Sequence, residues 1–227
     1  MKIGILQTGH APDEVKDELG DYARMFATLL EGHGFEFETF NVVDNEFPAS
    51  VDAADGWLIT GSKHGVYEPH DWIPPLEDFI RKVRDAGQPM VGVCFGHQII
   101  AQALGGKVEK FEGGWAAGAQ EYDFDGEQMV LNAWHQDQVV EAPEGAEVIA
   151  SNDFCAYAGL VYGDTILTVQ PHPEFTARMI EGLLQHRAPG VLPETMINDL
   201  KTRVDQRLND RDFGDRMAAF FKGKSDE

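Results

Sequence analysis

The sequence predicts an α/β protein: a doubly wound, mostly parallel sheet with helices on both faces and a small β-rich extension. Two observations carry this expectation. From Lys2 to Leu104, short apolar runs alternate with segments of helical spacing, as in a parallel sheet joined by crossover helices. From Val108 to Val169 glycine is frequent and short strand-like runs follow one another, which reads as hairpins or a mixed-sheet extension rather than a second domain. Residues 1–227 are therefore expected to form one domain, with a closing helical segment at about 187–222.

The elements follow in order. Lys2–Gln7 is an apolar first strand, followed by a Gly-Pro-containing loop. Glu18–Gly32 has helical spacing, with Tyr22, Met25, Phe26, Leu29 and Leu30 on one face. Phe35–Asn41 alternates with period two, and Gly56–Thr60 is a short strand that stops at Gly61. Pro74–Ala86 reads as a helix with Leu76, Phe79, Ile80 and Val83 inward. Met90–Val93 is a strand, and Gln98–Leu104 a helix. In the extension, Gln120–Phe124, Gln128–Leu131, Glu147–Ala150, Phe154–Tyr157 and Thr165–Val169 read as strands. Phe175–His186 is a helix, and Pro193–Lys222 one or two amphipathic helices. The tail from Lys222 to Glu227 is expected to fray.

Composition narrows the function. A formal net charge of −21 argues against a nucleic-acid or anionic-membrane partner. No apolar run approaches the roughly 20 residues that span a bilayer. With no leader-like start and only Cys94 and Cys155 as cysteines, a reduced, cytoplasmic setting is expected.

Cys94 ends the apolar Met90–Val93 run, bracketed by Gly92 and Gly96 and followed by a helical segment. Strand, sharp turn and helix leave a side chain at the sheet edge, beside a helix N-terminus whose partial positive charge favours a thiolate. That geometry suits covalent catalysis, as in the nucleophile elbow built around serine. On these residues alone, a small buried hydrophobe at a strand end is as good a reading. A nucleophile needs a base. His172, fixed between Pro171 and Pro173, lies at the end of the Thr165–Val169 run, with Glu174 two residues on. A histidine so held takes a proton from a thiol, and a carboxylate orients it.

Gly92-Val-Cys94-Phe-Gly-His-Gln98 and Pro171-His172-Pro-Glu174, in this order, resemble the two signature motifs of class I glutamine amidotransferases. The resemblance runs from Lys2 to about His186. It implies a flavodoxin-like sheet, a Cys94-His172-Glu174 triad and a γ-glutamyl thioester on Cys94. It further implies an oxyanion hole from Gly61, Ser62 and the N–H of Phe95, where Ser62 replaces the usual second glycine. Gln98 matches a glutamine that contacts the substrate side chain. Trp134-His135-Gln-Asp137-Gln-Val resembles the substrate-binding segment, with His135 beside Asp137 and Asp137 holding the α-amino group. Gly114 and Trp115 would meet the α-carboxylate.

No synthase-sized region follows His186, and no phosphate-binding P-loop occurs. The expected substrate is therefore glutamine, with ammonia passed to a separate synthase or acceptor chain, or a γ-glutamyl peptide cleaved by this chain alone. The stretch Ile59–Glu68 and Asp71-Trp72-Ile73 resembles stand-alone γ-glutamyl peptidases. A non-catalytic binding or regulatory protein on the same fold is the reading from another class. No cofactor is expected. His64, His70, His97, His135 and His172 show no tight ligand spacing, so no metal is expected either.

Overall fold

The structure is a computed structural model and describes residues 1–223. Most of the tail expected to fray lies outside the described residues. Five strands run parallel: β1 (Lys2–Leu6), β2 (Glu36–Phe40), β3 (Gly56–Ile59), β4 (Met90–Val93) and β11 (Ile166–Val169). Four more, β6 (Ala116–Phe124), β7 (Glu127–His135), β9 (Glu147–Ser151) and β10 (Gly159–Tyr162), extend them antiparallel. The full order is β2-β1-β3-β4-β11-β10-β9-β6-β7. The short strands β5 (Lys107–Lys110) and β8 (Asp137–Glu141) pair separately.

Both sheet faces are covered because the parallel strands are apolar on both sides. In β3, Leu58 joins Ile3, Ile5, Val91 and Val93 under Phe26, Phe213 and Met217. These last three come from α2 (Tyr22–Leu29) and α7 (Asp210–Phe221). The flanking Trp57 and Ile59 point to the other face. There they pack on α3 (Ile73–Asp85) and α4 (Phe95–Ala103) through Leu76, Phe79, Ile80, Ile99 and Ile100. Each such side chain, fully buried, contributes about 1.5–3 kcal/mol. A third cluster joins α1 (Asp13–Leu19), α5 (Ala177–His186) and α6 (Glu194–Thr202) through Val15, Met179, Leu183 and Leu200.

Three sequence expectations are corrected. The helix expected over Glu18–Gly32 is two helices, α1 and α2. Gly20 breaks them at φ 78°, and Asp21 then caps α2 by accepting the Tyr22 N–H. Val15 is the only buried residue of α1, so its apolar period was too sparse to read. Phe154–Tyr157 is not a strand: Asn152 Oδ1 accepts the N–H groups of Phe154 and Cys155 and turns the chain. The strand lies later, at β10. Finally, α4 starts at Phe95 rather than Gln98, so Cys94 is itself the cap residue.

Among the described residues, no helix is long and apolar enough to cross a membrane.

Candidate active site

Neighbouring strands β3, β4 and β11 end side by side, where ligands bind in open parallel sheets. Gly61 follows β3, Cys94 follows β4 and His172 follows β11.

Cys94 is held at φ 52°, ψ −103°, a strained conformation for a residue with a Cβ that costs about 1–3 kcal/mol. The neighbours hold it there. Its N–H donates to Val169 O at 2.9 Å, and its carbonyl accepts Gln98 N–H at 3.0 Å. The elbow is as tight as backbone allows. A Cβ on Gly96 would lie 2.3 Å from Ile59 O, and one on Gly92 would lie 2.6 Å from Gly96 O.

His172 is buried, Nδ1 lies 2.7 Å from Glu174 Oε1, and Phe175 stacks on the ring at 3.9 Å and 5°. The ring and Cys94 both border the Gly61 position. Asn132 of β7 clamps the segment at both ends. Its carbonyl accepts His172 N–H at 2.7 Å, and its side-chain amide donates to Phe175 O at 2.8 Å. Burial alone would lower the His172 pKa, but Glu174 and the Cys94 sulfur outweigh it and hold it well above the usual imidazole range.

The cavity over Cys94 has a volume of about 340 Å³. Ser62, Cys94, Gln98, Trp115, His135, Asp137 and His172 all line it. Gly61 and Phe95 are not among its lining residues. A Cβ on Gly61 would sit 2.7 Å from His172 Cε1 and 3.7 Å from Cys94 Cβ, so this position has room only for glycine. The Gly61 carbonyl accepts hydroxyl hydrogen bonds from Thr8 (3.0 Å) and Thr60 (3.1 Å). In a trans peptide the next N–H points the opposite way, so the Ser62 N–H is turned away from these threonines.

His135 and Asp137 flank the bend where the chain leaves β7 for β8. His135 Nδ1 contacts the Asp137 carbonyl at 3.2 Å. Burial and the nearby His172 push its pKa down to about 3, so it is neutral. Burial raises the Asp137 pKa, opposed by the Tyr67 hydroxyl, which donates to Oδ2 at 2.9 Å.

Gly114 and Gln98 have partners of their own. The Gly114 N–H closes a turn on Phe111 O at 3.2 Å, and Gly114 does not line the cavity, unlike its neighbour Trp115. The Gln98 amide donates to the Asp137 carbonyl (2.8 Å) and to Gln170 Oε1 (3.0 Å). Gln98 thus pins the Asp137 bend and leaves only its carbonyl for a ligand.

The roles of Phe175, Asn132, Tyr67 and the Thr8–Thr60 pair have no local signature. Phe175 follows the Pro-His-Pro-Glu run, and Thr60 and Tyr67 lie within Ile59–Glu68. His64, Glu68 and His70 also converge at the cavity rim, with ligand atoms all within 4.8 Å of one another. The expectation of scattered histidines fails at this loop.

The family model for glutamine amidotransferase class-I matches residues 19–184. The chain belongs to the class-I glutamine amidotransferase family. It is 30% identical to Gamma-glutamyl peptidase 4 of Arabidopsis thaliana, covering 91% of this chain and 89% of that protein. A Leptospira interrogans protein named as a probable glutamine-hydrolyzing GMP synthase is 32% identical over 73% of this chain, but only 28% of that protein is covered. The crystal structure of a glutamine amido transferase from Methylobacillus flagellatus superposes with a TM-score of 0.76 at 20% identity, covering 100% of this chain and 96% of that one. This fold agreement bears out the α/β sheet expected from the sequence.

Proposed function

We propose that this chain hydrolyses the γ-glutamyl amide bond of γ-glutamyl peptides. The observation that carries the reading is Cys94 at the elbow and His172, bonded to Glu174 at 2.7 Å, lining one cavity. Cys94 Sγ gives its proton to His172 and attacks the γ-carbonyl carbon, and the carbonyl oxygen becomes an oxyanion. The N–H groups of Ser62 and Phe95 stabilise it, with Gly61 giving the loop its close approach. His172 then protonates the departing amine, the C–N bond breaks, and a γ-glutamyl thioester remains on Cys94. Water, losing its proton to His172, hydrolyses the thioester and releases glutamate. Glu174 holds the imidazole in orientation throughout. Asp137 meets the substrate α-ammonium, and the neutral His135 keeps the Asp137 bend in place.

Two observations favour a peptide over free glutamine. The cavity is of a size that takes drug-sized ligands, whereas glutamine loses only ammonia. Its wall also holds apolar Pro12, Tyr22, Phe175 and Leu183 with the Arg187 side chain nearby, which suits the remainder of a peptide. The relatives that match over most of their length include γ-glutamyl peptidases. The second reading, a glutaminase supplying ammonia to a separate synthase chain, has support in the GMP synthase match.

The test is a panel of glutamine, γ-glutamyl dipeptides and glutathione given to the isolated chain. It should release amine from the peptides faster than ammonia from glutamine. A glutamine-derived electrophile should label Cys94 and leave Cys94→Ala unlabelled. Glutamine turnover only in the presence of cell extract supports the glutaminase reading. Silence on every substrate, with labelling unchanged in Cys94→Ala, leaves a binding protein.

A further inference from the structure

The loop between β3 and α3 carries a second cluster with its own chemistry. His64 Nδ1 lies 3.4 Å from Glu68 Oε2, and His70 Nε2 lies 2.7 Å from the same oxygen. We infer that His64, Glu68 and His70 form a binding site for a first-row transition ion of the zinc type at the rim of the catalytic cavity.

The donor set supports this. Two imidazoles and one carboxylate suit zinc, copper, nickel or cobalt, and fit poorly to magnesium or calcium, which take mainly oxygen. The spacing supports it too. Tetrahedral ligands at about 2.1 Å from an ion stand about 3.4 Å apart. The His64–Glu68 pair is already at that separation, and the His70–Glu68 pair needs to open by less than an ångström.

The loop is built to hold these groups. Glu68 N–H donates to Gly65 O at 3.0 Å, His70 N–H to Glu68 O at 2.8 Å, and Ile73 N–H to His70 O at 3.1 Å. Buried Trp72 stacks on His70 at 14°. Three protein ligands leave one coordination position open, and His64 and Glu68 face the cavity. An ion there would tie down the loop that begins at Ser62 and carries Tyr67 to Asp137. Trp72 also touches Phe95, the residue after Cys94, with ring centroids 5.4 Å apart.

The experiment is cobalt(II) titration of the full-length Cys94→Ser chain, which removes the competing thiol. Expected are visible absorption bands of tetrahedral intensity saturating at one ion per chain, displaced by zinc. Glu68→Gln and His70→Asn, each checked for native circular dichroism, should weaken binding at least 100-fold, while His172→Asn in the same background leaves it unchanged. Retained one-to-one binding in both rim variants, loss of binding in His172→Asn, or no saturable cobalt signal would each overturn the assignment. Zinc should also raise the melting temperature of the Cys94→Ser chain in proportion to its concentration. No zinc-dependent shift would count equally against the site.

Discussion

His172 sits between two influences of opposite sign. Burial disfavours its charge, and Glu174 with the Cys94 sulfur favours it more strongly. The imidazole pKa is thereby raised from about 6.5 in the unfolded chain to about 10 in the fold. A raised pKa stabilises the fold fully below the unfolded value, and that contribution is lost as pH rises through the folded value. Between pH 7 and 10 the urea midpoint of the wild-type chain should therefore fall. In Glu174→Gln the fall should be shallower, because the carboxylate that raises the imidazole is gone. The same variant should lower turnover by about 10²–10⁴-fold, less than Cys94→Ser, since orientation is impaired while the nucleophile remains. An equal loss in both variants would count against an orienting role. Histidine NMR titration, read beside the urea curves, separates the electrostatic effect from misfolding.

At the scale of elements, the β4–α4 elbow concentrates the demand on backbone. Gly96 packs against Ile59 O with no space for a methyl group, and the opposing atom is backbone, which has little freedom to move aside. Gly96→Ala should therefore cost at least the about 1–3 kcal/mol typical of overpacking, measured as a lowered urea midpoint, and should slow alkylation of Cys94. A variant of wild-type stability would mean that β3 and α4 can separate without penalty. The elbow was readable in the sequence because its requirements are local: an apolar run, a thiol and two small residues. Its tightness was not. The start of α4 directly after Cys94 goes with Gly96 N–H donating to Thr60 O at 3.1 Å, a contact from the first turn of the helix to the end of β3 that no local pattern encodes. The split between α1 and α2 was missed for a related reason, because α1 has a single buried side chain and docks through tertiary contact.

At the scale of the whole molecule, acidic residues outnumber basic ones 39 to 18. Most of the ion pairs, such as Arg178–Glu18 and Arg203–Asp199, are exposed and worth little. Self-repulsion of the acidic surface therefore outweighs them, and salt should stabilise the fold. Raising sodium chloride from 10 mM to 0.5 M should give about 1–2 kcal/mol, or about 3–6 °C in melting temperature by calorimetry. A falling melting temperature would mean that the surface pairs dominate.

Periodicity and short motifs carry the α/β class, the succession of strands and helices along the chain, and the thiol, imidazole and carboxylate placed after strand ends. Both signals are local, read within a few positions of each residue. The surroundings of these three groups come from segments distant in the chain. Phe175 stacking on His172, Asn132 clamping it from β7, Tyr67 reaching Asp137, and Gln98 turned to the Asp137 bend all depend on segments brought together by sheet order. The convergence of His64, Glu68 and His70 depends on it as well, because an irregular loop has no period from which side-chain direction can be read.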